Sequence, residues 1–141
     1  MTVTAAGLNY IGPAPGSAVI SGPSGKSPVL DGGAGNLTVV ATNGATVLIG
    51  GPGDTLTGGK GADTFVFIGQ FGHDTITNYN PNKDIIQLDQ TQFPTLAAVH
   101  AASQQVGANT VTITDHAGDT VTLLGVSLSQ LHFDASHFLL A

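Results

Sequence analysis

The sequence predicts an all-β protein: a parallel β-roll of nonapeptide repeats, capped by a C-terminal β-hairpin segment with one short helix. Two observations lead to this prediction. The composition lacks the residues that solvated helices use, and a nine-residue period runs through the first half of the chain. With 141 residues, the chain has room for one modest hydrophobic core.

The composition favours strands and turns over helices. There are 20 glycines, and only 9% of the residues are charged. All nine acidic residues are Asp, Glu and Arg are absent, and the basic residues are Lys26, Lys60 and Lys83. Exposed helix faces usually carry Glu, Lys and Arg, whereas Gly and Asp favour turns. A hydrophobic fraction of 41% is too high for a disordered linker.

The nonapeptide period starts at Pro23. Successive blocks cover residues 23–31, 32–40, 41–49, 50–57 (one residue short) and 58–66. A large apolar residue recurs near the end of each block: Leu30, Val39, Leu48, Leu56 and Phe65. The glycine-rich part of a block suits a tight turn, and the x-apolar-x part suits a short strand with one inward side chain. Two blocks then make one coil of about 18 residues.

The fifth block has the residue types of a calcium-binding repeat. Gly58-Gly59-Lys60-Gly61-Ala62-Asp63-Thr64-Phe65-Val66 matches G-G-x-G-x-D-x-apolar-x at every fixed position. Calcium takes six to eight oxygen ligands. Glycines let backbone carbonyls turn toward one point, and the short Asp side chain adds negative charge. The sequence therefore predicts calcium sites between stacked turns.

Stacking of the coils predicts which acidic residues meet. Asp54 is expected to face the turn near Gly72 and Asp74, and Asp63 the turn near Asp84, with Asn78 close by. The candidate metal ligands are Gly33, Gly35, Asn36, Gly44, Gly51, Gly53, Asp54, Gly59, Gly61, Asp63, Asp74 and Asp84.

Several blocks depart from the repeat. Leu37 and Thr46 stand where Asp is expected, and the fourth block has lost one residue before Asp54. We therefore expect one to three calcium ions rather than a full ladder of sites. Asp31 is more typical of a turn residue than of a ligand. A glycine-rich β-solenoid that has lost its metal sites is the alternative.

Residues 30–141 resemble a known family. The stretches GGKGADTFVF (58–67) and FGHDTITNYNPNKDIIQLD (71–89), with the segment up to Ala141, are similar to the C-terminal RTX (haemolysin-type) module of exported bacterial proteases, lipases and adhesins. Asn78 and Gln87 replace two acids of the family pattern, which weakens the outermost site. The resemblance implies a capped parallel β-roll, calcium-induced folding and export by a type I ABC system.

The C-terminal third is predicted to cap the roll. A helix is expected over residues 90–107, with Pro94 near its start and Gly107 at its end. Residues 109–115 and 119–126 alternate apolar residues with Thr and predict a hairpin that covers the open end. Residues 131–141 predict a final edge strand, and they also resemble the C-terminal signal of type I substrates.

The sequence thus divides into three parts, and its features suggest secretion. Residues 1–22 are a linker or an N-terminal cap, residues 23–89 form the roll, and residues 90–141 hold the helix, hairpin and secretion-signal region. The first ten residues lack the basic and apolar regions of an N-terminal signal peptide, so we expect an extracellular protein that uses the type I route. No apolar run approaches the ~18 residues of a membrane span.

Several function classes are disfavoured. A net charge of −6 without a basic patch argues against nucleic-acid binding and against attraction to anionic membranes. Without Cys or Glu there is no thiolate chemistry and no HExxH motif, and no G-x-S-x-G elbow occurs, so we do not expect an enzyme. The expected partners are calcium, the type I ABC secretion machinery and an extracellular host or matrix surface.

Three functions are compatible with these features. The first is a calcium-responsive module that folds outside the cell and supports type I secretion. The second is a small extracellular adhesion or matrix protein that uses the roll as a rigid surface. The third is an accessory domain of a secreted hydrolase whose catalytic part is absent from this chain.

Overall fold

The structure, a computed structural model, describes residues 2–4, 10–11, 19–21, 29–31, 35–41 and 44–141. Strands dominate this part of the chain. They are β1 (Thr2–Thr4), β2 (Tyr10–Ile11), β3 (Val19–Ser21), β4 (Val29–Asp31), β5 (Thr38–Val40), β6 (Val47–Ile49), β7 (Thr55–Thr57), β8 (Thr64–Phe67), β9 (His73–Ile76), β10 (Ile85–Leu88), β11 (Ser103–Gln105), β12 (Thr110–Thr114), β13 (Thr120–Leu124) and β14 (Phe138–Leu140). An α-helix, α1 (Leu96–Ala101), and a 3-10 helix (Leu128–Gln130) accompany them.

Successive strands alternate between two open sheets from β1 to β10. The odd-numbered strands form one sheet in the order β1-β3-β5-β7-β9, and the even-numbered strands form the other in the order β10-β8-β6-β4-β2. Neighbours within both runs are parallel. One coil therefore contains one strand of each sheet. The predicted all-β class with parallel pairing is confirmed.

The middle residue of each of the strands β5, β6 and β7 points inward. Val39, Leu48 and Leu56 are fully buried, and Phe65 holds the same place in β8. Alternation of side chains along a strand explains why the residues flanking Val39, Leu48 and Leu56 are only half-buried. Each buried side chain contributes about 1.5–3 kcal/mol. The predicted inward positions are confirmed from Val39 onward, whereas the side chain of Leu30 lies outside the described residues.

The predicted hairpin extends the larger sheet. β12 and β13 are antiparallel, and the Asp115 carboxylate begins their turn by accepting the N–H of Ala117 at 2.8 Å and of Asp119 at 2.9 Å. Because β13 also pairs in parallel with β9, the hairpin covers a strand edge that the coils would otherwise expose. In the smaller sheet β14 pairs with β10 at the edge, which confirms the predicted final strand.

The helix is shorter than predicted. The sequence predicts a helix over residues 90–107, but α1 covers only Leu96–Ala101, beginning where Thr95 Oγ1 accepts the N–H of Ala98 at 3.1 Å. The prediction is wrong on the C-terminal side, because residues 103–105 form β11 and pair with β12. Strand pairing prevails here because a short helix gains little stability without extensive packing.

Residues 1–22, predicted as a linker or cap, contain three of the strands. β1 pairs with β3 and β3 pairs with β5, so both belong to the larger sheet. β2 pairs with β4 in the smaller sheet. The proposed domain boundaries after residues 22 and 89 stay predictions. The described part of the chain contains no helix with the length and apolar character needed to cross a membrane.

Candidate metal centre

The connections between strands stack in two columns, one on each side of the sheets. The first edge consists of the connections that lead into β5, β7 and β9, at residues 35–37, 50–54 and 68–72. The second edge consists of those that lead into β6, β8 and β10, at residues 44–46, 58–63 and 77–84. On the first edge, successive coils are joined where the amide of Asn36 donates to the carbonyl oxygen of Pro52 at 3.0 Å.

Two glycines show how closely the coils approach. Gly35 has a φ of +91°, and a Cβ there would lie 2.1 Å from the carbonyl oxygen of Pro52. On the second edge, a Cβ on Gly61 would lie 2.2 Å from the carbonyl carbon of Gly44. Such contacts are too short for real atoms, so a side chain at either position would force the coils apart. The predicted stacking of the glycine turns is confirmed at both edges.

Four aspartates lie at the junctions between these turns and their strands and point inward. Asp54, Asp63, Asp74 and Asp84 are each at most 2% exposed. Each precedes a buried apolar side chain by two residues, so the alternation of an extended chain directs the carboxylate to the interior. Buried carboxylates are costly unless hydrogen bonds or positive charges compensate them.

Hydrogen bonds between coils link the aspartates of the first edge. Oδ1 of Asp54 accepts the backbone N–H of Leu37 at 2.8 Å, 17 residues earlier. The backbone N–H of Asp54 in turn donates to Oδ1 of Asp74 at 2.7 Å, 20 residues later. Oδ2 of Asp54 also accepts the N–H of Gly51 at 2.7 Å. The predicted proximity of Asp54 and Asp74 is confirmed.

The second edge repeats this arrangement. Oδ1 of Asp63 accepts the N–H of Thr46 at 2.9 Å, 17 residues earlier, and the N–H of Asp63 donates to Oδ1 of Asp84 at 3.0 Å, 21 residues later. Nearby, Oδ1 of Asn78 accepts the N–H of Gly58 at 2.6 Å. The predicted proximity of Asp63 and Asp84 is confirmed, and their role as ligands stays a prediction.

One carboxylate oxygen at each edge lacks a hydrogen-bond partner. Among the described residues, Oδ2 of Asp63 and Oδ2 of Asp74 are buried without one. Oδ2 of Asp74 lies against Gly50 and Oδ2 of Asp63 against Gly58, since a Cβ on either glycine would be 2.7 Å from that oxygen. An ionised carboxylate in such a place needs a nearby cation, or it takes up a proton.

The electrostatics point the same way. Burial, together with the negative charges of Asp54 and Asp119, raises the pKa of Asp74 from 3.8 to about 8 against opposing backbone hydrogen bonds. Burial also raises the pKa of Asp84 above its ordinary value. In both residues burial outweighs the groups that favour the ionised form. A cation bound beside these carboxylates would favour that form.

The other predicted ligands belong to the same two columns. Gly35, Asn36, Gly51 and Gly53 lie on the first edge, and Gly44, Gly59 and Gly61 on the second. Asn36 is exposed, and its Oδ1 lies beside Gly53 rather than among the buried carboxylates. Gly33 lies outside the described residues. Ligation by the glycine carbonyls stays a prediction.

Sequence reasoning missed two contributions to these edges. Leu37 and Thr46 occupy positions where the repeat pattern has Asp. Their backbone N–H groups donate to the aspartates of the next coil. Their spacing of 17 residues from those aspartates could have indicated this. Lys83 donates from its ammonium group to the carbonyl oxygen of Lys60 on the second edge, and no motif in the sequence indicates that contact.

The donor atoms at both edges suit a hard cation. Across the described residues no three His, Cys, Asp or Glu side chains converge, so each edge offers a pair of carboxylates and further ligands would be turn carbonyls. Carboxylate and carbonyl oxygens are the ligands of calcium rather than of transition metals, which prefer nitrogen and sulfur. The residues present therefore fit the predicted calcium.

Comparison of the chain with protein-family models gives no match, and neither does comparison with curated proteins.

Proposed function

We propose that this protein is a calcium-binding β-roll of the RTX type that completes its folding when calcium binds at the two edges outside the cell. One observation carries the proposal: each edge holds a buried carboxylate oxygen, on Asp63 and on Asp74, that has no hydrogen-bond partner among the described residues. Because burial penalises the ionised carboxylates, the compact state is disfavoured at neutral pH unless a cation compensates them.

Each edge would bind its cation through its own pair of aspartates. Asp54 and Asp74 would hold the cation of the first edge, and Asp63 and Asp84 that of the second. Calcium, when bound, supplies the positive charge that keeps these carboxylates ionised in the interior. Backbone N–H groups already fix Oδ1 of Asp63 and Oδ1 of Asp74, so the Oδ2 atoms of these two residues are oriented before binding.

The same chemistry explains why such a module suits export by the type I route. Where calcium is scarce, the uncompensated aspartates destabilise the coils and leave the chain loose enough to pass a transporter. At roughly millimolar calcium, sites with Kd of about 10⁻⁴–10⁻³ M fill and fold it, because metal binding is coupled to folding. The C-terminal segment 131–141 serves as the secretion signal and as the last strand.

A calcium titration followed by circular dichroism tests this proposal. Calcium added to chelator-treated protein should raise the β signal cooperatively, and Asp63→Ala should shift the midpoint about tenfold or more to higher calcium, since affinity depends on the charge of the ligands. Asp134→Ala is the matched control, because this aspartate is exposed in the C-terminal turn. A protein that is fully folded in chelator and indifferent to calcium would refute the proposal.

A second candidate function is adhesion, and a specific surface feature favours it. Five threonines are in register across β5, β7, β9, β13 and β12: Thr38, Thr55, Thr75, Thr122 and Thr112. This threonine row is half-buried and lies on the outer face of the larger sheet. An uncharged row of hydroxyl and methyl groups, spaced ~4.8 Å apart, suits an extended neutral surface such as a polysaccharide.

Retention on cellulose particles tests the adhesion function. The wild type should be retained in calcium, whereas a Thr112→Lys/Thr122→Lys variant, changed in the hairpin away from the candidate ligands, should be washed off while keeping its calcium response, because two ammonium groups cannot be pressed against a neutral surface without losing hydration. Equal retention of both proteins, or of neither, would contradict a role for the threonine row.

A further inference from the structure

The second edge already contains a cation of its own. Lys83 lies in the connection 77–84, and its ammonium donates to the carbonyl oxygen of Lys60, 23 residues earlier and one coil away. Lys60 is the central residue of the turn Gly59-Lys60-Gly61. The contact identifies this carbonyl as one that a positively charged group can reach, and such charge-assisted bonds are stronger than neutral ones.

The first edge has no equivalent contact among the described residues. The corresponding carbonyl there, that of Pro52, accepts the backbone amide of Asn36 instead. Of the three lysines, Lys26 lies outside the described residues, and the other two sit on the second edge. The first edge has an additional negative neighbour, Asp119, whose Oδ2 accepts the backbone N–H of Phe71 at 3.1 Å.

The two edges thus carry the same pair of carboxylates but differ in their internal charge. Lys83 directly precedes Asp84 in the chain and contacts the second edge, whereas no lysine of the described residues lies on the first edge. A cation that binds at the second edge must compete with the Lys83 ammonium, which is held within reach of the Lys60 carbonyl oxygen. Tethering keeps the effective concentration of such a competitor high.

We infer that Lys83 is a built-in competitor for calcium at the second edge, so that the first edge fills at a lower calcium concentration than the second. This inference rests on the proposed calcium-binding function. It assigns two unequal classes of site to the protein: a tighter one at Asp54 and Asp74, and a weaker one at Asp63 and Asp84. Calcium at the weaker site must displace the ammonium from the Lys60 carbonyl.

Isothermal titration of the full-length protein with calcium alone tests the inference. The wild type should show two binding steps. Lys83→Met should tighten the weaker step about tenfold, the scale expected for removing one charge-assisted competitor, and leave the tighter step unchanged. Asn82→Met is the matched control: it places the same side chain at the exposed neighbouring position of this connection without changing the charge, and both steps should stay as in the wild type.

Three further variants assign the steps to the edges and guard against folding defects. Asp74→Asn should abolish the tighter step and Asp63→Asn the weaker one. Lys83→Arg, which keeps the charge and the donor groups, should retain the wild-type pattern.

Distinct results would overturn the inference and the proposed function. Two equal steps in the wild type, or a weaker step that Lys83→Met leaves unchanged, would overturn the role of Lys83 while calcium binding stands. A wild type that binds no calcium would overturn both.

Discussion

The carboxylate of Asp54 has a double role in this protein. It is a candidate ligand, and it also accepts two backbone N–H groups, from Leu37 of the preceding coil and from Gly51 of its own turn. Its removal should therefore affect the fold even without calcium, because a buried amide that loses its acceptor costs about 1–3 kcal/mol.

Substitution of Asp54 separates these two roles. In chelator at about pH 5, where protonation of Asp74 removes the cost of its buried charge, Asp54→Leu should lower the free energy of unfolding by about 1–3 kcal/mol, since the amide of Leu37 loses its acceptor. Asp54→Asn keeps one carbonyl oxygen for that amide and should cost less, although it also weakens calcium binding. Urea denaturation measures both. Equal stability of the two variants would contradict a structural role for this carboxylate.

The pKa of Asp74 predicts how metal-free stability depends on pH. Burial raises this pKa from 3.8 to about 8, so over that range the folded protein holds a proton that the unfolded chain has released. The free energy of unfolding should therefore fall as the pH rises from about 4 to 8, by at most about 1.4 kcal/mol per pH unit for one proton. Circular dichroism in chelator at several pH values follows the corresponding loss of folded protein.

A neutral variant provides the control for this pH dependence. Asp74→Asn has no proton to lose and should reduce the slope, and the raised pKa of Asp84 accounts for any remainder of the same sign. Side-chain hydrogen bonds from Thr91 and His137 lower the pKa values of Asp89 and Asp134 respectively, which is the opposite direction. Metal-free stability that rises between about pH 5 and 8 would contradict the assignment.

The sequence predicts which residues are neighbours in space better than it predicts the hydrogen bonds between them. A period of about 18 residues places Asp54 next to Asp74 although their separation is 20, because both turns belong to one column. The amide-to-carboxylate bonds and the reach of Lys83 depend on the register of one coil against the next. Turn length sets that register, and the repeat pattern does not encode it.

At the scale of elements, close contact between turns controls whether the coils can stack. Gly61→Ala should lower the free energy of unfolding by about 3 kcal/mol, because the new Cβ would meet the backbone of Gly44, which cannot move aside as a side chain could. Thermal or urea unfolding in excess calcium measures the loss.

A glycine with free space around it provides the comparison. Gly69 has a φ of +69°, and a Cβ added there would meet no atom within 4 Å. Gly69→Ala should therefore cost only the strain of a left-handed residue, about 1 kcal/mol. A Gly61→Ala variant no less stable than Gly69→Ala would show that the coils tolerate separation.

The elements also show where pattern reasoning succeeds and where it fails. The hairpin was predictable, because apolar residues and Thr alternate on both sides of a short turn and each strand buries the apolar set. The strand in the C-terminal half of the predicted helix was not predictable, since residues 103–105 have no strong preference for either helix or strand. Their pairing with β12 is a tertiary contact, and tertiary contacts override weak local propensity.

At the scale of the whole molecule, one core joins the coils to the C-terminal segment. The buried cluster extends from Leu37 to Phe138, and the Phe138 ring stacks on Phe133 with their centroids 5.3 Å apart. The C-terminal tail is thus part of the folded unit, in addition to any role as a secretion signal.

Substitutions in β14 test how far stability depends on this tail. Phe138→Ala should lower the free energy of unfolding by about 3–5 kcal/mol, because a ring that is 1% exposed leaves a cavity. Leu139→Ala, at a neighbouring side chain that is 40% exposed, should change it by less than about 1 kcal/mol. Urea denaturation in calcium distinguishes the two. A mild effect of Phe138→Ala would mean that the coils are stable without their last strand.

The bonds between aspartates and amides all run in one direction along each column. Every carboxylate accepts from the coil before it, and each of these coils offers its own amide to the coil that follows. The two ends of a column are therefore chemically different. If the coil at the N-terminal end of a column unfolds, a carboxylate loses a backbone N–H donor. If the coil at the C-terminal end unfolds, a neutral amide loses its acceptor. Loss of the donor to a charged group costs more free energy, so local unfolding should be harder at the N-terminal end than at the C-terminal end.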